Sequence, residues 1–167
     1  MAVTKVQSPR VMRGSWTACH EAALDAREPV FVPVELFADD RGWSAMNLLS
    51  GVLRPEGQIN FSLQYPDVVK AWHCHRKQTD FWLCSVGNIK AGIHRAEDQS
   101  TWMIITGEKK PGVLIIPPGL WHGATAVGHE PAGLLYYVTH AFDPQNPDEL
   151  RRPWDSIDGF PWSVRHG

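Results

Sequence analysis

Residues 70–87 read Lys70-Ala71-Trp72-His73-Cys74-His75-Arg76-Lys77-Gln78-Thr79-Asp80-Phe81-Trp82-Leu83-Cys84-Ser85-Val86-Gly87, and residues 117–122 read Pro117-Pro118-Gly119-Leu120-Trp121-His122. The first stretch is two β-type runs separated by a polar break; the second is a proline-glycine turn that delivers a histidine. Side chains on a strand alternate faces, so His73 and His75 point the same way and Cys74 points away. Asp80 opens the next run, and by the same alternation Trp82 and Cys84 share its face. Three imidazoles and one carboxylate form a donor set for Zn, Mn, Ni or Fe, with one or two positions left for a substrate oxygen. On spacing alone, His73 and His75 read more readily as strand histidines hydrogen-bonded in a pocket than as ligands of a metal.

Working outward, further short β-type runs occupy 29–37, 58–64, 88–94, 101–106, 112–117 and 134–139, with turn residues between them. Fourteen glycines and 13 prolines are spread along the chain, which points to an all-β sandwich or barrel. Two short helices are expected, Thr17–Arg27 with Thr17 as cap and Glu21 in its first turn, and Asp148–Arg151. The 167 residues suit one domain: an N-terminal arm and helix over 1–28, a barrel over 29–145, and a C-terminal segment over 146–167 at the barrel mouth. Apolar residues at 43% and charged residues at 20% exclude a disordered chain. A net charge of −2 provides no field to hold a nucleic-acid backbone, and no apolar run is long enough to span a membrane. The opening residues lack a signal-like apolar stretch, so the expected location is cytoplasmic. Cys19, Cys74 and Cys84 read as reduced thiols and not as a disulfide framework.

The pattern H-x-H, four residues, an acid, six residues, Gly, then P-x-G-x-x-H resembles the two motifs of the cupin superfamily, with Asp80 where the acid is usually Glu. That resemblance implies a jelly-roll barrel in which two strands and a turn bring His73, His75, Asp80 and His122 together as candidate ligands of a divalent metal. Several further segments resemble the dTDP-4-dehydrorhamnose 3,5-epimerase family of cupins, in the family's order. These are Asp39-Asp40-Arg41-Gly42-Trp43, Gln58-Ile59-Asn60-Phe61-Ser62, Lys70-Ala71-Trp72-His73, residues 116–123, the stretch from Tyr136 to Pro144, and Trp154-Asp155.

The family resemblance implies a cofactor-free reaction on a nucleotide-linked 4-keto sugar. A histidine removes the proton alpha to the ketone, a lysine stabilises the enolate, and a tyrosine returns a proton from the other face. The histidine position is His73. The lysine position is Asp80, unless Lys77 takes that role, and the tyrosine position is Phe142, with Tyr136 and Tyr137 nearby. The family's glutamine two residues after the base is His75. A carboxylate cannot stabilise an enolate directly, whereas a divalent metal held by the substituted set can. If His73 binds metal, the base must be Tyr136, Tyr137, Lys77 or a metal-activated water.

The reading is an isomerase or epimerase of a nucleotide-linked keto-deoxysugar acting through an enediolate, with metal assistance and no organic cofactor. Two alternatives stand beside it: a metal-dependent cupin oxygenase, decarboxylase or lyase on a small non-nucleotide substrate, and a non-catalytic sugar-binding cupin. Gln58, Asn60 and Ser62 alternate onto one strand face and are candidate substrate contacts, and Trp82 is a candidate pocket wall. By family position, Lys70, Arg95 and Arg41 are candidate diphosphate contacts. Lys70 needs a bulge to share the face of His73. The resemblance also implies a homodimer formed by strand exchange, with Arg41 reaching the partner subunit.

Overall fold

The computed structural model describes residues 5–164. In chain order the elements are β1 (Arg10–Val11), α1 (Trp16–Ala26), β2 (Val30–Pro33), β3 (Phe37–Asp39), β4 (Gly42–Ser44), β5 (Gln58–Gln64), β6 (Val69–His75) and β7 (Asp80–Val86). They continue with β8 (Asn88–Arg95), β9 (Ser100–Gly107), β10 (Gly112–Ile116), β11 (Trp121–Ala126), β12 (Ala132–Val138) and β13 (Glu149–Arg151). One sheet runs β1-β2-β10-β7-β12-β5, a second runs β13-β6-β11-β8-β9, and β3 and β4 form a separate hairpin. The two large sheets face one another as the expected jelly roll.

Phe31, Trp82, Ile93, Trp102, Leu114 and Leu120 fill the space between the sheets at one end. A second apolar layer covers the outer face of the first sheet, where Cys19 and Ala23 of α1 pack on Val30, Val32, Phe81, Val113 and Ile115. Strands β2 and β10 are therefore covered on both faces, which is why they read as unbroken apolar runs. A third cluster lies outside the second sheet, where Trp72, Cys74 and Trp121 are covered by Phe160 and Trp162 of the C-terminal segment. The ammonium of buried Lys90 ties that segment down by donating to the carbonyls of Pro161, Trp162 and Ser163.

Several boundaries correct the sequence expectation. The helix starts at Trp16, and its cap is Ser15, not Thr17: the Ser15 hydroxyl accepts from the Ala18 amide at 3.1 Å. Glu21 consequently falls beyond the first turn. The stretch expected as a second helix is β13, paired antiparallel to β6 with Glu149 opposite His75 and Arg151 opposite His73. Its few residues gain more from completing the backbone pairing of an edge strand than from a single helical turn. The turn carrying His122 continues directly into a full strand, β11. Residues 165–167, part of the expected C-terminal segment, and residues 1–4 of the arm lie outside the described residues. No helix among the described residues is long and apolar enough to cross a membrane.

Candidate functional site

The other end of the barrel is open, and there the two sheets enclose a cavity of about 530 Å³. Strand alternation decides what faces it. On β5 the residues Gln58, Asn60, Ser62 and Gln64 point inward; on β6, His73 and His75; on β7, Asp80 and Trp82; on β12, Tyr136. Lys70 also lines the cavity although it is an odd number of residues from His73. The register explains this. His122 pairs with His73, but two residues further along β11 Ala124 pairs with Lys70, three residues back along β6. That extra residue is the bulge Lys70 required, and it resets the alternation. Gly123 sits against it, and a Cβ there would lie 2.3 Å from the Ala71 Cβ.

The four candidate ligands lie close together. One donor atom from each of His73, His75, Asp80 and His122 lies within 4.8 Å of the others. Four ligands about 2.1 Å from a tetrahedral Zn-like ion stand about 3.4 Å apart, so the most widely separated donors would close by about 1.4 Å on binding one ion. The His73 ring meets the His122 ring edge-on at 4.2 Å between centroids. Asp80 and His122 are each only 2% exposed, so their polar atoms have little recourse to water.

Hydrogen bonds behind the ligands set which ring atoms face inward. His122 Nδ1 lies 2.8 Å from the Leu120 carbonyl, and His75 Nδ1 lies 3.0 Å from the Asp148 carbonyl. A carbonyl can only accept, so both Nδ1 atoms carry the proton and both neutral rings present an Nε2 lone pair. His122 Nε2 is buried and has no hydrogen-bond partner among the described residues. It stands 3.5 Å from Asp80 Oδ2, a charge contact without hydrogen-bond geometry. In the ring form with Nε2 unprotonated, a lone pair opposes a carboxylate oxygen in a buried site, and a bound cation satisfies both. The Asp80 oxygens are oriented by the Gln78 amide at 2.7 Å and the Trp82 indole N–H at 3.0 Å. Carbonyls and amides of this kind are the usual outer support of metal ligands.

Burial favours the neutral form of two of the imidazoles. Burial, reinforced by the neighbouring His122, lowers His73 well below the usual imidazole range. Burial lowers His75 as well. Burial alone would raise Asp80, but the His122 imidazole, then that of His75, each acting when it carries a positive charge, and the Gln78 hydrogen bond hold its carboxyl below the ordinary value. Burial raises the Tyr136 hydroxyl, and the Asp80 charge adds to that. Burial also pushes the Cys74 and Cys84 thiols up to about 11, consistent with packing roles.

Other expected site residues divide between cavity and elsewhere. Gln58, Asn60, Ser62, Lys70, Trp82 and Tyr136 line the cavity, with Lys70 Nζ 3.0 Å from Ser62 Oγ. Tyr137 follows Tyr136 on the strand and so faces the other way. Its hydroxyl accepts from the Arg54 amide at 3.0 Å and donates to the Val52 carbonyl at 3.3 Å, which removes it from the site. Lys77 lies in the turn after β6, outside the cavity lining. Arg95 pairs with Asp98 at 2.8 Å and donates to the Arg27 carbonyl, on the flank and not in the cavity. Arg41 is paired with Asp39 on the β3–β4 hairpin and borders a separate cleft with Trp16 and Phe37.

Sequence reasoning missed Gln78, Glu149, Arg151 and Arg152, all of which line the cavity. Arg152 lies over the Trp121 ring at 4.0 Å, and Arg151 pairs with Glu149. The alternation Glu149-Leu150-Arg151 was the available signal, obscured by reading the stretch as helix. Phe142, the family's tyrosine position, does line the cavity.

Comparison with known proteins agrees with this architecture. Residues 38–150 match the family described as the polysaccharide biosynthesis C-terminal domain, and the chain belongs to that family. It is 35% identical over 135 residues to the spore coat polysaccharide biosynthesis protein SpsL of Bacillus subtilis, covering 76% of this chain and 89% of that one. It is 39% identical over 101 residues to the "Probable low-salt glycan biosynthesis epimerase" of Haloferax volcanii, covering 57% of this chain and 65% of that one. Among solved structures, the dTDP sugar isomerase of Desulfovibrio desulfuricans superimposes with a TM-score of 0.71 at 23% identity, over 80% of this chain and 90% of that one. This likeness shows that the two chains share the jelly-roll fold.

Proposed function

We propose that the protein is an isomerase or epimerase of a nucleotide-linked keto-deoxysugar in polysaccharide biosynthesis, and that a divalent metal assists the reaction. The observation that carries the metal is the buried His122 Nε2 facing Asp80 Oδ2, with His73 and His75 completing a four-ligand set. The substrate class is supported by the family and by a relative bearing the name of a glycan biosynthesis epimerase. The cavity is suited to such a substrate. Gln58, Asn60 and Ser62 offer hydrogen bonds to sugar hydroxyls, and Trp82, Tyr136 and Phe142 provide ring surface. Lys70, Arg151 and Arg152 supply cations for a diphosphate at the rim.

When bound, the metal supplies Lewis-acid stabilisation of the negative charge that develops on the ketone oxygen. Tyr136 retains its proton at neutral pH and faces the cavity, so it is the group positioned to return a proton to the enediolate carbon. The Asp80 carboxylate is held in its orientation by the Gln78 amide and the Trp82 indole N–H. Phe142 carries no hydroxyl, which favours reprotonation at one carbon over the double epimerisation of the family.

The test is proton exchange. The purified protein is incubated with a nucleotide-linked 4-keto-6-deoxy sugar in D₂O, and deuterium entering C3 or C5 is followed by NMR. Exchange at one carbon, lost on chelation and restored by metal, is expected. Absence of exchange with every metal tried would overturn the enzyme reading, and full exchange at a metal content below about one tenth of an equivalent would overturn the metal.

A cytoplasmic homodimer goes with this reading. Edge strand β5 presents Ile59, Phe61 and Leu63 outward, and the β3–β4 hairpin exposes Phe37 and Trp43. These are apolar surfaces that a second copy would cover. Phe61→Asp is expected to shift sedimentation from dimer to monomer.

A further inference from the structure

Asp148 lies 73 residues beyond His75 and outside the cavity lining, yet it touches both His75 and the turn that follows it. Its carboxylate accepts from three successive backbone amides of the β6–β7 turn: Arg76 at 3.0 Å, Lys77 at 2.9 Å and Gln78 at 3.1 Å. Its own carbonyl accepts from His75 Nδ1 at 3.0 Å. The turn so gathered ends in Gln78, whose side chain orients Asp80. One residue therefore clamps the connection between two ligand-bearing strands and determines which nitrogen of His75 holds the proton.

We propose that Asp148 is a positioning residue of the site, holding the His75 ring with its Nε2 lone pair toward the other ligands and the turn with Gln78 against Asp80. A carboxylate that merely capped a surface turn would stabilise the fold and leave the state of an imidazole unchanged. Here the same residue fixes both, because the three amides anchor the backbone whose carbonyl holds the ring. The part of the inference that concerns metal affinity rests on the metal reading above; the part that concerns the ring does not.

The experiment uses metal-stripped full-length protein, in which long-range ¹H–¹⁵N spectra report the tautomer of each histidine. In the wild type, His75 and His122 should both carry the proton on Nδ1. Asp148→Ala should leave His75 as a mixture of tautomers and weaken Co²⁺ binding about 10- to 100-fold. Asp148→Asn retains one acceptor oxygen and should fall between the two. His122 is held by Leu120 and should be unchanged in both variants, which also reports that they are folded. Should Asp148→Ala fail to fold, the Asn variant decides. A His75 ring that stays as in the wild type overturns the proposal. If the wild type binds no Co²⁺ while the His75 ring still responds to Asp148, the positioning role stands and the metal reading falls.

Discussion

Strands β5 and β10 belong to one sheet, with β7 and β12 between them, and follow opposite rules. Every residue of β10 is buried, since its inner face meets the barrel core and its outer face meets the layer under α1. On β5 the usual alternation is inverted: Gln58, Asn60 and Ser62 face into the barrel, while Ile59, Phe61 and Leu63 face out and are 61%, 59% and 46% exposed. The contrast separates the labour of the fold. The β10 end holds the barrel together by burying apolar surface, and the β5 end leaves the interior polar and wet enough to accept a hydroxylated ligand. The ligand set lies at this open end, on strands β6, β7 and β11.

The largest expected effect comes from removing a ligand. Asp80→Ala should weaken Co²⁺ or Zn²⁺ binding by more than about 100-fold, beyond the loss typical of an outer-support residue, as read by metal titration. Retained binding would break the proposed split between a structural and a chemical end. Leu114→Ala on β10 should cost about 2–5 kcal/mol in urea unfolding while metal affinity of the folded protein is unchanged. A parallel loss of affinity would show that the two ends are coupled. Asn60→Ala on β5 should do the reverse, raising KM about 5-fold, the equivalent of one neutral hydrogen bond of ~1 kcal/mol, with a smaller change in stability.

A milder effect concerns pH. Burial lowers His73 and His75 below the unfolded imidazole value of 6.5. Below that pH the unfolded chain takes up protons that the folded chain refuses, so the metal-free protein should lose stability as pH falls from 6.5 toward the folded values. His75→Gln should flatten this slope, measured as the unfolding midpoint against pH. An unchanged slope would show that His75 is not among the groups the fold holds neutral.

Much of this site was legible because strand alternation is local. Gln58, Asn60 and Ser62, and His73 with His75, could be assigned to shared faces from spacing alone, and Asp80 and His122 from motif order. Alternation also shows that Tyr136 and Tyr137 cannot both face the cavity; which of them does so depends on pairing, with Tyr136 opposite Asn60 and Trp82. Arg95 and Arg41 were assigned by family position, but in this chain acidic neighbours hold both away from the cavity. The segment 148–152 was the least legible part. Its conformation is dictated by the open edge of β6, to which it pairs across more than 70 residues.

The amino-acid sequence by itself determined the all-β class, the shared face of His73 and His75 and the polar lining of β5, since each depends on periodicity within a few residues, while Asp80 and His122 joined the candidate set through the family resemblance. Only the tertiary structure decided that a bulge turns Lys70 inward, that Tyr136 and not Tyr137 faces the cavity, and that β13 brings Asp148, Glu149, Arg151 and Arg152 to the site. Those outcomes depend on registers between strands far apart in the chain, where pairing energy is shared over a whole sheet and no local pattern specifies the partner.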